Sequence, residues 1–222
     1  MQMSVKVEVW GEYALFSRPE LKVERYSYDV MTPSAARGLL EAIYWHPGLR
    51  WVIDRIYVLN PIEFTSVRRN EVKSKISANN VRTVLNGGGG ELFLAVSDDI
   101  QQRAATVLCD VHYVIEAHFV LTDKAAPGDN AGKFCDIMRR RLEKGQCYHR
   151  PCLGCREFPA HFKKWEGGEI VTAYPETDRE LGLMLYDIDY SDPENLTPMF
   201  FKATLEKGVL NVPAPESQEV LR

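Results

Sequence analysis

The chain contains no run of 18 apolar residues, so it offers no stretch with the length and polarity of a membrane-crossing helix. It is also sparing with cysteine. The five it has, Cys109, Cys135, Cys147, Cys152 and Cys155, are odd in number and gathered late, which fits free thiols in a reducing compartment better than a disulfide framework. The opening MQMSVKVEVWGEYALF lacks the apolar core and cleavage site of a signal peptide, and a cytoplasmic protein is expected. The glycines at 87–90 are not followed by the Lys-Ser/Thr of a phosphate-binding loop, which excludes a P-loop there. Cys152 and Cys155 have a metal-ligand spacing, but no second such pair exists. The set Cys147, His149, Cys152, Cys155 and His161 is therefore not read as a zinc centre. No carboxylate cluster suits two magnesium ions. No segment repeats, and neither a metal nor a cofactor is called for.

What is present can bury a core: 222 residues, 45% hydrophobic and 10% aromatic. Charge is spread unevenly around a net of −4. Residues 67–82 carry five basic side chains and one acid, residues 132–164 nine and three, and residues 166–222 four and twelve. Two basic patches in an acidic chain suggest a surface for polyanions.

Along the chain, VKVEVW (5–10) alternates as a strand. Residues 17–31 read as an irregular loop. Thr32-Pro33 opens a helix to about residue 46, with Ala36, Leu39, Leu40 and Ile43 facing inward and Arg37 and Tyr44 together on its flank. Residues 51–64 are a long strand region with Pro61 at a bulge or edge. Residues 67–90, basic, then polar, then glycine-rich, suggest a mobile flap, and 98–105 a short helix. Residues 107–122 are a strand that puts His112, Val114, Glu116 and His118 on one face.

The stretch from Asn130 to Phe158 carries the most chemistry. Asp129 or Asn130 can cap a helix that ends at Gly145. Phe134, Met138 and Leu142 form its apolar stripe. Lys133, Arg140 and Lys144 form a basic stripe flanked by Arg139 and Arg141. Three adjacent arginines suit a solvated helix face; beside a glycine turn they also suit an anion site. A strand over 153–162 is expected next. The order strand, helix, strand, strand, helix, strand is that of a ferredoxin-like fold, whose sheet face or adjoining groove can take RNA. An α+β chain is expected. It has a ferredoxin-like (RRM-like) domain over 1–164, with a basic insertion near 67–106, and a small antiparallel β domain over 165–222. The strands of the latter are 181–190 and 199–212, broken by a turn at 206–208, with a loose tail after Pro213.

YALF at 13–16, EAIYWHP at 41–47, the Gly-Lys of 132–133, RRRLEKGQC at 139–147 and LGCREF at 153–158 resemble the Cas-five family of the type I-C (Dvulg) CRISPR system. The resemblance runs from residue 3 to about 212. It implies a RAMP-type protein that cuts the repeat RNA of the CRISPR precursor transcript without a metal, by attack of a ribose 2′-hydroxyl. It also implies a subunit that stays on the 5′ handle of the guide RNA among the other subunits of a type I-C interference complex. Its catalytic positions fall on Tyr44 and Lys133. A third, often a histidine after that lysine, is Phe134 here, which transfers no proton. His149, His118 and His46 are the candidate substitute imidazoles, His149 foremost. Arg37, Arg139, Arg140, Arg141, Lys144, His149 and Arg156 are the expected RNA-binding residues. Two alternatives stand beside this reading: an RNA-binding scaffold with weak nuclease activity, and a general nucleic-acid binder that also takes duplex DNA.

Overall fold

The computed structural model describes residues 4–21 and 24–222. Positions 22 and 23, within the expected loop 17–31, and residues 1–3 lie outside that range. Among the described residues, three α-helices lie with a curled nine-stranded sheet that is antiparallel except for one short strand. The first strand, β1 (Ser4–Ala14), pairs with the 22-residue strand β5 (Ile100–Leu121). Strand β3 (Leu49–Val58) lies on the other side of β5, and β6 (His161–Lys164) on the outer edge of β1. The order β6-β1-β5-β3 thus has helix α1 (Pro33–Ile43) between β1 and β3 in sequence, and helix α3 (Ala131–Lys144) between β5 and β6.

Each helix forms where its sequence allows. The Thr32 hydroxyl accepts the Ala35 N–H, and Pro33 occupies the first turn, where a missing N–H costs nothing. Asn130, rather than Asp129, caps α3 by accepting the Lys133 N–H at 3.0 Å, and Gly145 ends it in the left-handed conformation. Ala36, Leu39, Leu40 and Ile43 of α1 and Phe134, Met138 and Leu142 of α3 join Val7, Val9, Tyr113, Ile115 and Ala117 of the sheet in one core. The opposite sheet face is polar. Lys6 and Arg55 meet Glu116, His112 meets Glu8 at 2.9 Å, and His118 meets Asp54 at 2.8 Å.

Several expectations change. Of the expected helix 98–105, residues 100–105 are strand, because β5 begins at Ile100 and pairs residue for residue with β4 (Glu63–Val72); Asp98 only closes a short 3-10 turn, Val96–Asp98. A partner strand outweighs weak local helix preference. Asp110, at φ 47°, marks where β5 passes from its β4 pairing to its β3 pairing. The region 67–90 is part strand and part helix, α2 (Ala78–Leu85), so it forms an arm with secondary structure of its own. The loop 17–31 holds a short strand, β2 (Arg25–Tyr26), parallel to β5.

Residues 153–158 are a tight turn, not a strand. Gly154 has φ +82°, and a Cβ there would lie 2.1 Å from the Leu15 carbonyl oxygen. Only glycine permits that approach. The Leu15 N–H then donates to the Leu153 carbonyl, and strand geometry begins at His161.

After residue 165 come β7 (Arg179–Asp189), β8 (Thr197–Glu206) and β9 (Val209–Asn211), with Lys207 and Gly208 in the expected turn. They do not make a second sheet: β9 pairs with β3 and carries β8 and β7 into the first. The tail is not loose either. Leu221 bridges to Phe200, and Val220 is buried.

Candidate nucleic-acid site

Helix α1 stops at Ile43, and Tyr44 is already extended at φ −147°, ψ 113°. In extended chain successive side chains point to opposite sides. Tyr44 and His46 thus reach one side, toward α3, while Trp45 stands 56% exposed on the other. The expected neighbourhood of Tyr44 and Arg37 on one helix flank does not form, because Tyr44 has left the helix. Arg37 instead makes two 2.8 Å hydrogen bonds to Asp187 of β7 and one to Glu41. Burial opposes its charge, but the two carboxylates outweigh it and raise its pKa. Arg37 clamps α1 to β7.

Tyr44 packs edge-on against Phe134, with ring centroids 6.1 Å apart, and His46 lies 5.0 Å from the same ring. Phe134 is fully buried, as its place on the apolar stripe predicted. Arg141 lies over the Tyr44 ring at 4.9 Å and donates to the Ile43 carbonyl, placing a cation at the C-terminal end of α1. Arg141 is thereby a packing residue. Burial raises the Tyr44 pKa, Arg141 opposes that rise and Asp129 adds to it, so the phenol stays protonated at neutral pH and can donate a hydrogen bond.

Asp129 joins the two segments. One carboxylate oxygen accepts the Lys133 ammonium at 2.7 Å; the other accepts the Ala126 N–H at 2.9 Å and lies 3.8 Å from His46 Nδ1. Its side chain is 2% exposed, whereas those of Lys133 and His46 are 49% and 33% exposed. The Lys133 hydrogen bond, then the Ala126 N–H, hold the Asp129 carboxyl below the usual carboxylate range. Gly48 permits the closeness: a Cβ there would lie 2.8 Å from the Ala125 backbone. Its N–H donates to His46 Nδ1 at 3.0 Å, and its carbonyl accepts the Thr122 N–H.

The structure therefore brings Tyr44 and Lys133 to one corner, with His46 and Asp129 beside them. Sequence reasoning weighed His46 weakly and read Asp129 only as a helix cap. The spacing Asp129 to Lys133, one helical turn, was the available signal. The other expected residues lie around this corner. Arg139 is exposed and paired with Asp136 at 2.9 Å. Arg140 and Lys144 are exposed and, among the described residues, make no ion pair. His149 and Arg156 line a cleft of about 800 Å³ between α1 and the 149–159 loop, with Arg37 and Arg150. The loop is tied to α1 because the Tyr148 and His149 N–H groups both donate to the Ala42 carbonyl. His118 is committed to Asp54 on the far sheet face, and His161 stacks on Trp10 at 5.6 Å.

Among known proteins, the model of the CRISPR-associated protein (Cas_Cas5) family matches residues 4–213. The chain is 50% identical over 227 residues to a CRISPR pre-crRNA endoribonuclease Cas5d of Mannheimia succiniciproducens, covering all of both chains. It is 43% identical to a protein of the same name from Thermus thermophilus, covering 98% of this chain and 95% of that one. Its fold is similar to the crystal structure of a CRISPR-associated protein, with a TM-score of 0.71 and 25% identity, covering 100% of this chain and 97% of the other. It also resembles a functionally uncharacterised Streptococcus mutans protein (TM-score 0.70, 22% identity, 100% and 98% covered), which bears on fold alone. No helix among the described residues is long and apolar enough to cross a membrane.

Proposed function

Because the chain belongs to the CRISPR-associated Cas5 family, we propose that it is an endoribonuclease that cuts the repeat RNA of a CRISPR precursor transcript. The observation that carries this beyond family membership is the single corner where the end of α1 and the start of α3 set Tyr44 and Lys133 around Phe134. The reaction is an attack of a ribose 2′-hydroxyl on the adjacent phosphorus. The 2′-oxygen–phosphorus bond forms, the phosphorus–5′-oxygen bond breaks, and the ends are a 2′,3′-cyclic phosphate and a 5′-hydroxyl. The Lys133 ammonium stabilises charge on the phosphorane-like transition state, and the protonated Tyr44 phenol positions the RNA.

Product and partners extend the proposal. The cleaved guide stays bound through its 5′ handle, and the protein serves as a subunit of a type I-C interference complex. Arg139, Arg140, Lys144, His149 and Arg156 are the proposed RNA contacts, and the exposed cations of the arm extend the surface toward longer RNA or duplex DNA. The order β6-β1-β5-β3, with its two intervening helices, supports a ferredoxin-like, RAMP-type reading of that part of the sheet. A second reading, an RNA-binding scaffold of weak activity, draws on the complete burial of Phe134, which transfers no proton.

Cognate repeat RNA incubated with the protein in EDTA tests the reading. EDTA-resistant cleavage leaving a cyclic phosphate is expected, as is full loss of cutting with retained binding when the attacking ribose is 2′-deoxy. Lys133→Ala should slow cutting by about 10²–10³-fold. Cutting of the 2′-deoxy substrate at the normal rate overturns the mechanism, and binding without any cutting favours the scaffold.

A further inference from the structure

Departure of a ribose 5′-oxygen is assisted by a proton donor, and an imidazolium is the side chain best suited to that near neutral pH. In the Tyr44–Lys133 corner one imidazole is available, His46. We propose that His46 is the general acid of the cleavage, giving its Nε2 proton to the departing 5′-oxygen as the phosphorus–5′-oxygen bond breaks. The 2′-hydroxyl proton goes to water. The inference rests on the reading of the chain as a nuclease that works by 2′-hydroxyl attack.

Three observations carry it. First, His46 Nδ1 is turned inward, 3.0 Å from the Gly48 N–H and 3.8 Å from the Asp129 carboxylate. A ring held by Nδ1 presents Nε2 away from those partners, and a neutral ring accepting at Nδ1 carries its proton on Nε2. In the imidazolium Nδ1 gives up the Gly48 N–H and becomes a donor itself, with the Asp129 carboxylate 3.8 Å away to receive it. Once Nε2 has given up its proton, the one left on Nδ1 faces that carboxylate. Second, the same carboxylate holds the Lys133 ammonium at 2.7 Å on its other oxygen. Asp129 thereby acts as a positioning residue that sets the transition-state cation and the proton donor from one buried anchor. Third, the Phe134 ring backs the imidazole at 5.0 Å while a third of the His46 side chain stays exposed, so the ring is supported on one side and open to RNA on the other. The other imidazoles are placed less well: His118 is bound to Asp54 on the opposite sheet face, and His149 lies against Tyr148 in an exposed loop.

The deciding experiment compares His46→Asn with the unaltered protein on two RNAs at saturating concentration. Asn keeps an acceptor for the Gly48 N–H but holds no transferable proton. One RNA is the ordinary repeat; the other carries a bridging 5′-sulfur at the scissile phosphate, a leaving group that departs without protonation. His46→Asn should slow the oxygen substrate by about 10²–10⁴-fold and leave the sulfur substrate within a few-fold of the unaltered rate. Cutting of the sulfur substrate also certifies that the variant is folded and binds RNA. Equal slowing of both substrates, or slowing of neither, overturns the assignment of His46 and leaves the nuclease reading standing. Failure of the unaltered protein to cut either substrate overturns that reading and this inference together.

Discussion

At the start of α3, Lys133 and Asp129 are held around a fully buried phenylalanine, whereas on the β4–β5 arm Lys73 and Lys75 follow the end of β4 and Arg82 stands on α2, a helix that buries no side chain. Both regions are basic in sequence, yet their charges are organised differently. In the corner, one carboxylate, one glycine approach and one aromatic ring hold the cation in place, which is what stabilising a transition state demands. On the arm, Lys73, Lys75 and Arg82 are exposed and, among the described residues, unpaired. Such charges can follow a phosphate backbone and release counterions without a set geometry. A run of like charge in a sequence thus says that a polyanion can bind, and only the packing beneath it says whether chemistry can be done there.

The comparison breaks most easily at Phe134. Phe134→Ala removes the ring that Tyr44, His46 and Phe119 all touch, and should destabilise the protein by about 3–5 kcal/mol in urea unfolding. A loss below about 1 kcal/mol would mean that the corner is not core-built. Phe134→His places a polar ring in the same buried site and should also lose stability, so any gain in rate has to overcome that loss.

The arm should respond differently. Lys73→Ala, Lys75→Ala and Arg82→Ala together should flatten the salt dependence of RNA binding, by up to about two in the log–log slope, with the rate at saturating RNA unchanged. Arg139→Ala with Arg140→Ala should flatten it less, since Arg139 already has Asp136 for a partner. Arg141→Ala should instead lower stability, because that side chain packs on Tyr44 and caps α1. If all three arginines changed only the slope, the assignment of Arg141 to packing would be wrong.

The smallest effect sharpens the corner itself. The Asp129 carboxyl has its pKa lowered on folding, so its contribution to stability is fully present above the unfolded carboxylate value and is lost as pH falls through the folded one. Asp129→Asn should therefore be less stable than the unaltered protein at neutral pH. The difference should shrink below the usual carboxylate range, as read from thermal melts across pH. An unchanging difference would show that the acid form holds Lys133 equally well.

Elements set by local chemistry were legible in the sequence. Thr32-Pro33 started a helix, Gly145 ended another, and the stripe Phe134, Met138, Leu142 faced the core, because capping and 3.6-residue periodicity act over a few residues. The turn at Lys207-Gly208 and the polar face bearing His112, Glu116 and His118 were legible for the same reason. Motif residues also pointed to Tyr44 and Lys133. Long-range pairing decided the rest. Residues 100–105 became strand because β4 lay opposite, and the C-terminal strands joined the first sheet because β9 found the edge of β3. The corner proposed as catalytic belongs to the tertiary structure as well. His46 and Asp129 are 83 positions apart and meet only because Gly48 lets the chain pass close to Ala125, a contact that no local pattern encodes.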